Sequence, residues 1–308
     1  MNRSSDFVVA VPATTANFGS GFDSIGMALD LWNTLNVSVS DINLMTVEGE
    51  GADLLPKDKE NLVFQSIDAG CNKAGIQTPL LSIHSKNNIP LTRGLGSSAA
   101  AVVAGLLIAN YYADNALTVK DLLEIASQIE GHPDNVSPAL FGGVRLIVKT
   151  EGNYIDRAIA MQDGLECLIF IPNEILATSE SRSALPQKVS LESAVFNLSR
   201  TALTIRSLMT GEWEDLRIST EDRLHQDYRF KLSPNMESMI GAMRNHGVYG
   251  SFISGAGPSV IGFASSDQVA DIKYRLEEHI KIHKIDGRFL TIGPSHKGAH
   301  IMGEEIGS

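Results

Sequence analysis

Cysteine is nearly absent: Cys71 and Cys167 are the only two among 308 residues, and they have no paired spacing. That excludes a disulfide framework and a cysteine-based zinc site, and it fits a reducing compartment. Aromatic residues are sparse at 6%, and 25 basic residues face 36 acidic ones, for a formal net charge of −11. A general surface for nucleic acid or for an anionic membrane needs the opposite balance, so neither partner is expected. An anionic ligand must then be held by local groups rather than by the overall field. The longest apolar run, residues 99–109, falls short of the about 20 residues that cross a bilayer. No secretory leader is evident either, which makes the cytoplasm the expected location. The pattern G-K-[ST] occurs nowhere, so a Walker A phosphate loop is excluded.

What is there suits a globular protein with a real core: 43% of residues are hydrophobic and 20% charged. The length favours two domains. β-Branched content and partial alternation predict strands at 7–11, 35–40, 80–85 and 143–148. Helices are predicted after Ser97 and Ser98, read as a serine-capped start, and over 119–130, with Leu122, Leu123, Ala126 and Ile129 on the inner face. After residue 155 the pattern restarts. A strand at 165–172 precedes helices at 191–210 and 235–245, then two strands flank "GAGP", and a long helix and a last strand follow. That β-α-α-β-β-α-β order predicts a ferredoxin-like second domain, and the division is 1–155 and 156–308 in an α+β chain.

Three glycine-rich stretches carry the chemistry: "VPATTANFGSGFDSIGMAL" (11–29), "PLTRGLGSSAA" (90–100) and "SGAGPS" (254–259). The middle one matches the G-x-G-x-x-A dinucleotide pattern, but its context is wrong for that fold. Seven residues separate it from the preceding strand, and a helix follows where a strand should. It reads instead as a phosphate cradle built from backbone N–H groups and a helix N-terminus, without a loop lysine. A serine hydroxyl there can face a divalent cation, provided a carboxylate converges on it. The stretch 124–143 offers Glu124 and Glu130, with His132, Asp134 and Asn135 beyond. Further on, Arg182 and Arg229 could meet the carboxylate of an amino acid, and Asp23 its ammonium group.

The three glycine stretches, in that order, resemble the GHMP small-molecule kinases, and "EGHPDNVSPALFGG" with the first stretch resembles their homoserine kinase branch. The resemblance runs from about residue 8 to 300. It implies an N-terminal domain of ribosomal-protein-S5-like fold and a ferredoxin-like C-terminal domain in the two-domain GHMP kinase arrangement. The implied activity is ATP- and Mg²⁺-dependent phosphorylation of L-homoserine, a step toward threonine, with a homodimer as the implied assembly. ATP would lie under Leu91, Thr92, Arg93, Gly94, Leu95, Gly96, Ser97, Ser98, Ala99, Ala100 and Ala101. Mg²⁺ would be held by Ser98 and a helix glutamate, Glu124 first and Glu130 in reserve. Homoserine would meet Asn17, Asp23, His132, Asn135, Thr178, Arg182 and Arg229. Asn135 would orient the hydroxyl, with Asp134 as the lesser candidate for a base. The chain departs from the family at Ser20, where proline is usual, and at Ala256 and Ser259, where serine and threonine are common.

Overall fold

The computed structural model describes residues 6–303. β1 (Asp6–Ala16) and β2 (Ile25–Val39) pair antiparallel along most of their length, and the first glycine stretch is the loop between them. β3 (Leu44–Gly49), α1 (Leu62–Ala74) and β4 (Leu81–Asn87) follow, with β3 parallel to β4 and β4 antiparallel to β2. Next come α2 (Ser97–Tyr112), α3 (Val119–Glu130) and α4 (Val136–Phe141). A hairpin of β5 (Val144–Thr150) and β6 (Asn153–Ile159) extends the free part of β2.

The chain then builds a second sheet. β7 (Leu165–Pro172) leads into α5 (Thr178–Ser183), α6 (Leu191–Thr210), a short 3₁₀ turn, α7 (Leu216–Ser219), α8 (Gln226–Arg229) and α9 (Pro234–Asn245). β8 (Gly250–Ile253), β9 (Val260–Ser265), α10 (Val269–His283) and β10 (Gly287–Ile292) complete it in the antiparallel order β10-β7-β9-β8. β9 lies between β7 and β8, which is the split βαβ arrangement expected of a ferredoxin-like unit. The last strand, β11 (His300–Ile301), returns to pair with β1. The expected division at 155/156 thus falls inside β6, a strand of the first sheet, and that sheet also takes the chain's end.

Two local expectations change. α2 begins at Ser97 itself, and its N-cap is Gly96 in the left-handed region (φ 69°), with no side-chain cap. The serines lie in the first turn, and the Ser98 hydroxyl is turned to Glu130 instead of back to the helix. On α3 the buried face is Leu122, Leu123, Ala126 and Ser127, while Ile129 is exposed. A capping box of Thr118 and Asp121 starts this helix, and Gly131 (φ 81°) stops it, turning the chain toward His132.

Candidate active site

A cavity of about 360 Å³ lies where the two sheets' loops meet. One part of its wall comes from β2, β3, β4 and α1: Leu35, Met45, Val47 and Val63, with Asn61 and Asn87 among them. The other part carries Asn17, Glu130, His132, Asp134, Asn135, Thr178, Arg182 and Arg229. The start of α2 lies between these groups.

Of the eleven expected phosphate-loop residues, Leu91, Thr92, Gly94, Gly96, Ser97, Ser98, Ala100 and Ala101 line the cavity. Leu95 and Ala99 are packed in the core instead. Arg93 is spent on carbonyls: its Nε donates to Pro172 O (2.9 Å), Nη1 to Leu91 O (3.0 Å) and Nη2 to Asn173 O (2.7 Å), which ties the loop to β7. The "SGAGPS" turn braces the loop from the other side. Ser254 Oγ donates to Gly94 O at 2.6 Å, and a Cβ at Gly94 would stand 2.1 Å from Ser254 O. With φ at +72° as well, only glycine fits at position 94. The N-terminus of α2, uncapped by any side chain, therefore opens into the cavity as a ready anion site.

Ser98 Oγ lies 2.5 Å from Glu130 Oε1. Glu124, the glutamate favoured from the sequence, does not line the cavity, and its Oε1 accepts from Gln128 Nε2 on its own helix. Six residues of helix place the two carboxylates about 9 Å apart along the axis and on different faces, so only one can meet α2. Burial holds the Glu130 carboxyl above the usual carboxylate range, against the opposing pull of the Ser98 bond and of His132. A hard dication matches this oxygen pair. No group of three or more His, Cys, Asp or Glu side chains among the described residues could hold a metal by itself. Two protein oxygens completed by phosphate oxygens and water is the ligand set Mg²⁺ takes in kinases.

Past Gly131, His132, Asp134 and Asn135 are all buried. His132 Nδ1 donates to Asp134 Oδ1 at 2.8 Å. Burial alone would lower the His132 pKa, but the bond to Asp134 and its charge raise it on balance. Burial would likewise raise Asp134, and the same bond, with the charges of His132 and Arg182, brings it down. Asn135 lines the cavity; its Oδ1 accepts from Thr14 Oγ1 (2.9 Å), and its Nδ2 has a long contact to Asp134 Oδ1 (3.5 Å).

At the far end, Asn17 Nδ2 donates to Gly255 O (2.9 Å), and Asn17 Oδ1 accepts from the Asp23 N–H (3.0 Å). Asp23 does not itself line the cavity. Its carboxylate forms a two-armed pair with Arg182, at 3.1 and 2.8 Å. Thr178 and Arg182, on α5, do line it. Arg229 is the largest fully buried side chain among the described residues. Its Nη1 reaches Gly255 O (2.8 Å) and His225 Nδ1 (2.9 Å), and its Nε has no hydrogen-bond partner. Burial, and then the charge of Arg182, bring its pKa down to about 10, so it stays charged at neutral pH. A buried guanidinium on a cavity wall with an unmet N–H is a site for an anion such as a carboxylate.

Several lining residues escaped the sequence reading. Leu35, Met45, Val47, Asn61, Leu62, Val63 and Asn87 form a mainly apolar slot of the cavity, yet in sequence they look like ordinary strand and helix positions. Thr14, which orients Asn135, carried no signal beyond its place in the first glycine stretch, whereas His225, which meets Arg229, stands in the cationic stretch 221–229 beside it.

The architecture and the cleft place the protein among small-molecule kinases of the GHMP type. The model of the GHMP kinases N terminal domain matches residues 61–143 and that of the GHMP kinases C terminal domain residues 198–282. The chain is 38% identical over 294 residues to the homoserine kinase of Desulfitobacterium hafniense, covering 96% of this chain and 99% of that one. With the homoserine kinase of Caldanaerobacter subterraneus it shares 41% identity, covering 96% and 95%. The crystal structure of homoserine kinase from Cytophaga hutchinsonii superposes with a TM-score of 0.86 at 27% identity, over 98% of this chain and 99% of that one. The chain belongs to the homoserine kinase family.

Proposed function

We propose that the protein transfers the γ-phosphoryl group of ATP to the side-chain hydroxyl of L-homoserine, giving O-phospho-L-homoserine and ADP. The observation that carries this reading is Arg229, buried and charged, with an unmet N–H, on the same cavity wall as Arg182, which is paired with Asp23 behind it. A neutral sugar needs no such cations, and a zwitterionic amino acid needs groups of both signs.

The uncapped start of α2 receives the phosphates through its first N–H groups, with Gly94 and Gly96 letting the backbone come close. Ser98 and Glu130 are the residues that would hold Mg²⁺, which when bound neutralises phosphate charge. Arg229 and Arg182 hold the substrate carboxylate, and Asn17 and Asp23 face its ammonium end. Asn135, its carbonyl occupied by Thr14, turns its N–H toward the acceptor hydroxyl and orients it for in-line attack. Phosphoryl transfer through a loose transition state draws mainly on positioning and charge stabilisation, so no strong base is required. The reading is tested by coupled ADP release with Mg-ATP on L-homoserine beside mevalonate, galactose, L-serine and L-threonine. Turnover confined to homoserine is expected; preference for another alcohol would keep the fold and overturn the substrate.

A further inference from the structure

Two phenylalanines of the loop between β1 and β2 go to opposite surroundings. Phe18 is fully buried and packs on Phe252 and Phe263, with ring centroids 5.1 and 5.5 Å away. Phe22 is only half-buried and belongs to neither hydrophobic core. Its ring is met instead by a histidine and two arginines. The His225 ring stacks on it at 5.0 Å with 26° between the planes. The guanidinium carbons of Arg229 and Arg182 stand 5.5 and 5.8 Å from its centroid. Phe22 comes from the first sheet's loop, Arg182 from α5, and His225 and Arg229 from the two ends of α8.

What the ring does there follows from the charges around it. The positive charge of Arg182 works against that of Arg229. Arg182 has the Asp23 carboxylate on both of its arms, but Arg229 has no carboxylate at ion-pair distance among the described residues. Asp222, just before α8, is occupied by N–H groups: Asn197 Nδ2 (2.7 Å) and the backbone of Leu224 (3.0 Å), His225 (2.8 Å) and Gln226 (2.7 Å). A phenyl face attracts a cation through its quadrupole without neutralising it. An acidic side chain at position 22 would pair with Arg229 and leave less of it for a ligand. The phenyl ring holds two like charges near each other and keeps both available.

Direction is supplied as well. The imidazole stacked on Phe22 accepts from Arg229 Nη1 at 2.9 Å. The backbone that carries the ring is itself pinned: Ser24 Oγ donates to Phe22 O (2.9 Å), and the Gly21 N–H donates to Asn17 O (2.8 Å). Arg182 and Arg229 line the cavity, and Phe22 does not.

We infer that Phe22 is a positioning residue for the amino-acid substrate, its ring holding Arg182 and Arg229 together as a two-armed clamp for one carboxylate. This rests on the proposed role of the two arginines, and it adds the group that keeps them together.

The test is steady-state kinetics on Phe22→Leu and on a series in which fluorines are added stepwise to the Phe22 ring. Fluorine draws charge away from the ring face and hardly changes its shape. Each addition should raise KM for homoserine, reaching about tenfold at the fully fluorinated ring, and Phe22→Leu should cost as much. Inhibition by 4-hydroxybutyrate, which keeps the carboxylate and lacks the amine, should weaken in step. KM for ATP and Tm should stay near the parent's across the fluorinated series. A homoserine KM that is flat across that series, with an active parent, would overturn the inference and leave the proposed function standing. So would a KM for ATP that rises together with that for homoserine, since Phe22 would then be packing alone. A parent inactive on homoserine would overturn both.

Discussion

Ser98 Oγ and Glu130 Oε1 stand 2.5 Å apart although 32 residues separate them in the chain, so Glu130 and not Glu124 reaches the first turn of α2. Glu130→Gln keeps the shape and removes the charge. Its kcat should fall by about 100-fold or more, the scale of losing a charge-stabilising group in the transition state. The Mg²⁺ concentration for half-maximal rate should rise as well. Glu124→Gln, whose partner is Gln128, should stay within about twofold of the parent in both, as remote surface changes do. Mg²⁺ titrations of the two variants are the check, and equal losses would remove the assignment.

In the proposed function, buried Arg229 on the cavity wall is the cation that meets the substrate carboxylate. Arg229→Lys cannot reproduce the fork that reaches Gly255 O and His225 Nδ1. KM for homoserine should climb about 100-fold, matching the loss of a charge-assisted bond of about 3 kcal/mol. KM for ATP should hardly move. Steady-state kinetics in both substrates settles the point, because a general packing defect would raise the two together.

Asp23 sits in the left-handed region at φ 54° and has both carboxylate oxygens on Arg182. If it also faces the substrate ammonium, its effect must depend on that group. Asp23→Asn should raise KM for L-homoserine by about tenfold, one charged hydrogen bond's worth, while leaving inhibition by 4-hydroxybutyrate, which lacks the amine, nearly unchanged. An equal effect on both ligands would reduce Asp23 to a brace for Arg182.

His225 makes a pH prediction whose sign follows from its burial. Its Nε2–H donates to Gly19 O, so Nδ1 must accept from Arg229, and the ring is neutral. Burial, reinforced by the charge of Arg229, lowers its pKa from 6.5 to about 4 even though Asp222 lies nearby. The unfolded chain binds that proton first as pH falls. This group's contribution to stability is therefore full above 6.5 and is lost progressively toward 4, about 3 kcal/mol in all. His225→Gln can keep both hydrogen bonds without titrating. Its Tm should fall less steeply between pH 6.5 and 4 than the parent's, and parallel Tm–pH curves would refute the assignment.

The three glycine stretches were legible because glycine at a close approach leaves a mark in sequence: Gly94 has a neighbouring carbonyl where its Cβ would be. The order of the second sheet was legible because its strands are mostly apolar and turn residues separate them. The choice between Glu124 and Glu130 was not legible. It depends on the angle at which α3 crosses α2, which no local pattern records. Nor was the slot lined by Met45, Val47, Leu62 and Val63, since a side chain facing a ligand cavity and one facing the core need the same apolar character. Residues 25–34 of β2 were missed, the first five of them for a related reason. Residues 25–29 are buried throughout, so the alternation that marks a one-sided strand is absent.

Ser20 replaces a proline that the family resemblance leads one to expect, and the structure shows what does the work of rigidity here. Its Oγ donates to Ser219 O (2.9 Å), its N–H to Phe18 O (3.1 Å), and its carbonyl accepts from Asn197 and Thr201 on α6. The loop bearing Asn17 and Asp23 is thus pinned to the second sheet's helices by hydrogen bonds rather than by a fixed φ. Ser20→Ala removes one of these, while Ser219 O keeps the Thr204 hydroxyl (3.1 Å) as a donor, so the cost is about 1 kcal/mol. Thermal unfolding should report that loss. KM for homoserine should rise a few-fold while kcat and KM for ATP hold, if the loop serves amino-acid binding, as proposed, and not the phosphate cradle. Ser20→Pro restores a stiff φ but deletes the N–H to Phe18 O and the hydroxyl together, so it should be less stable than Ser20→Ala. A proline variant more stable than the parent would mean that backbone stiffness alone, and not the bond to Ser219, orders this loop.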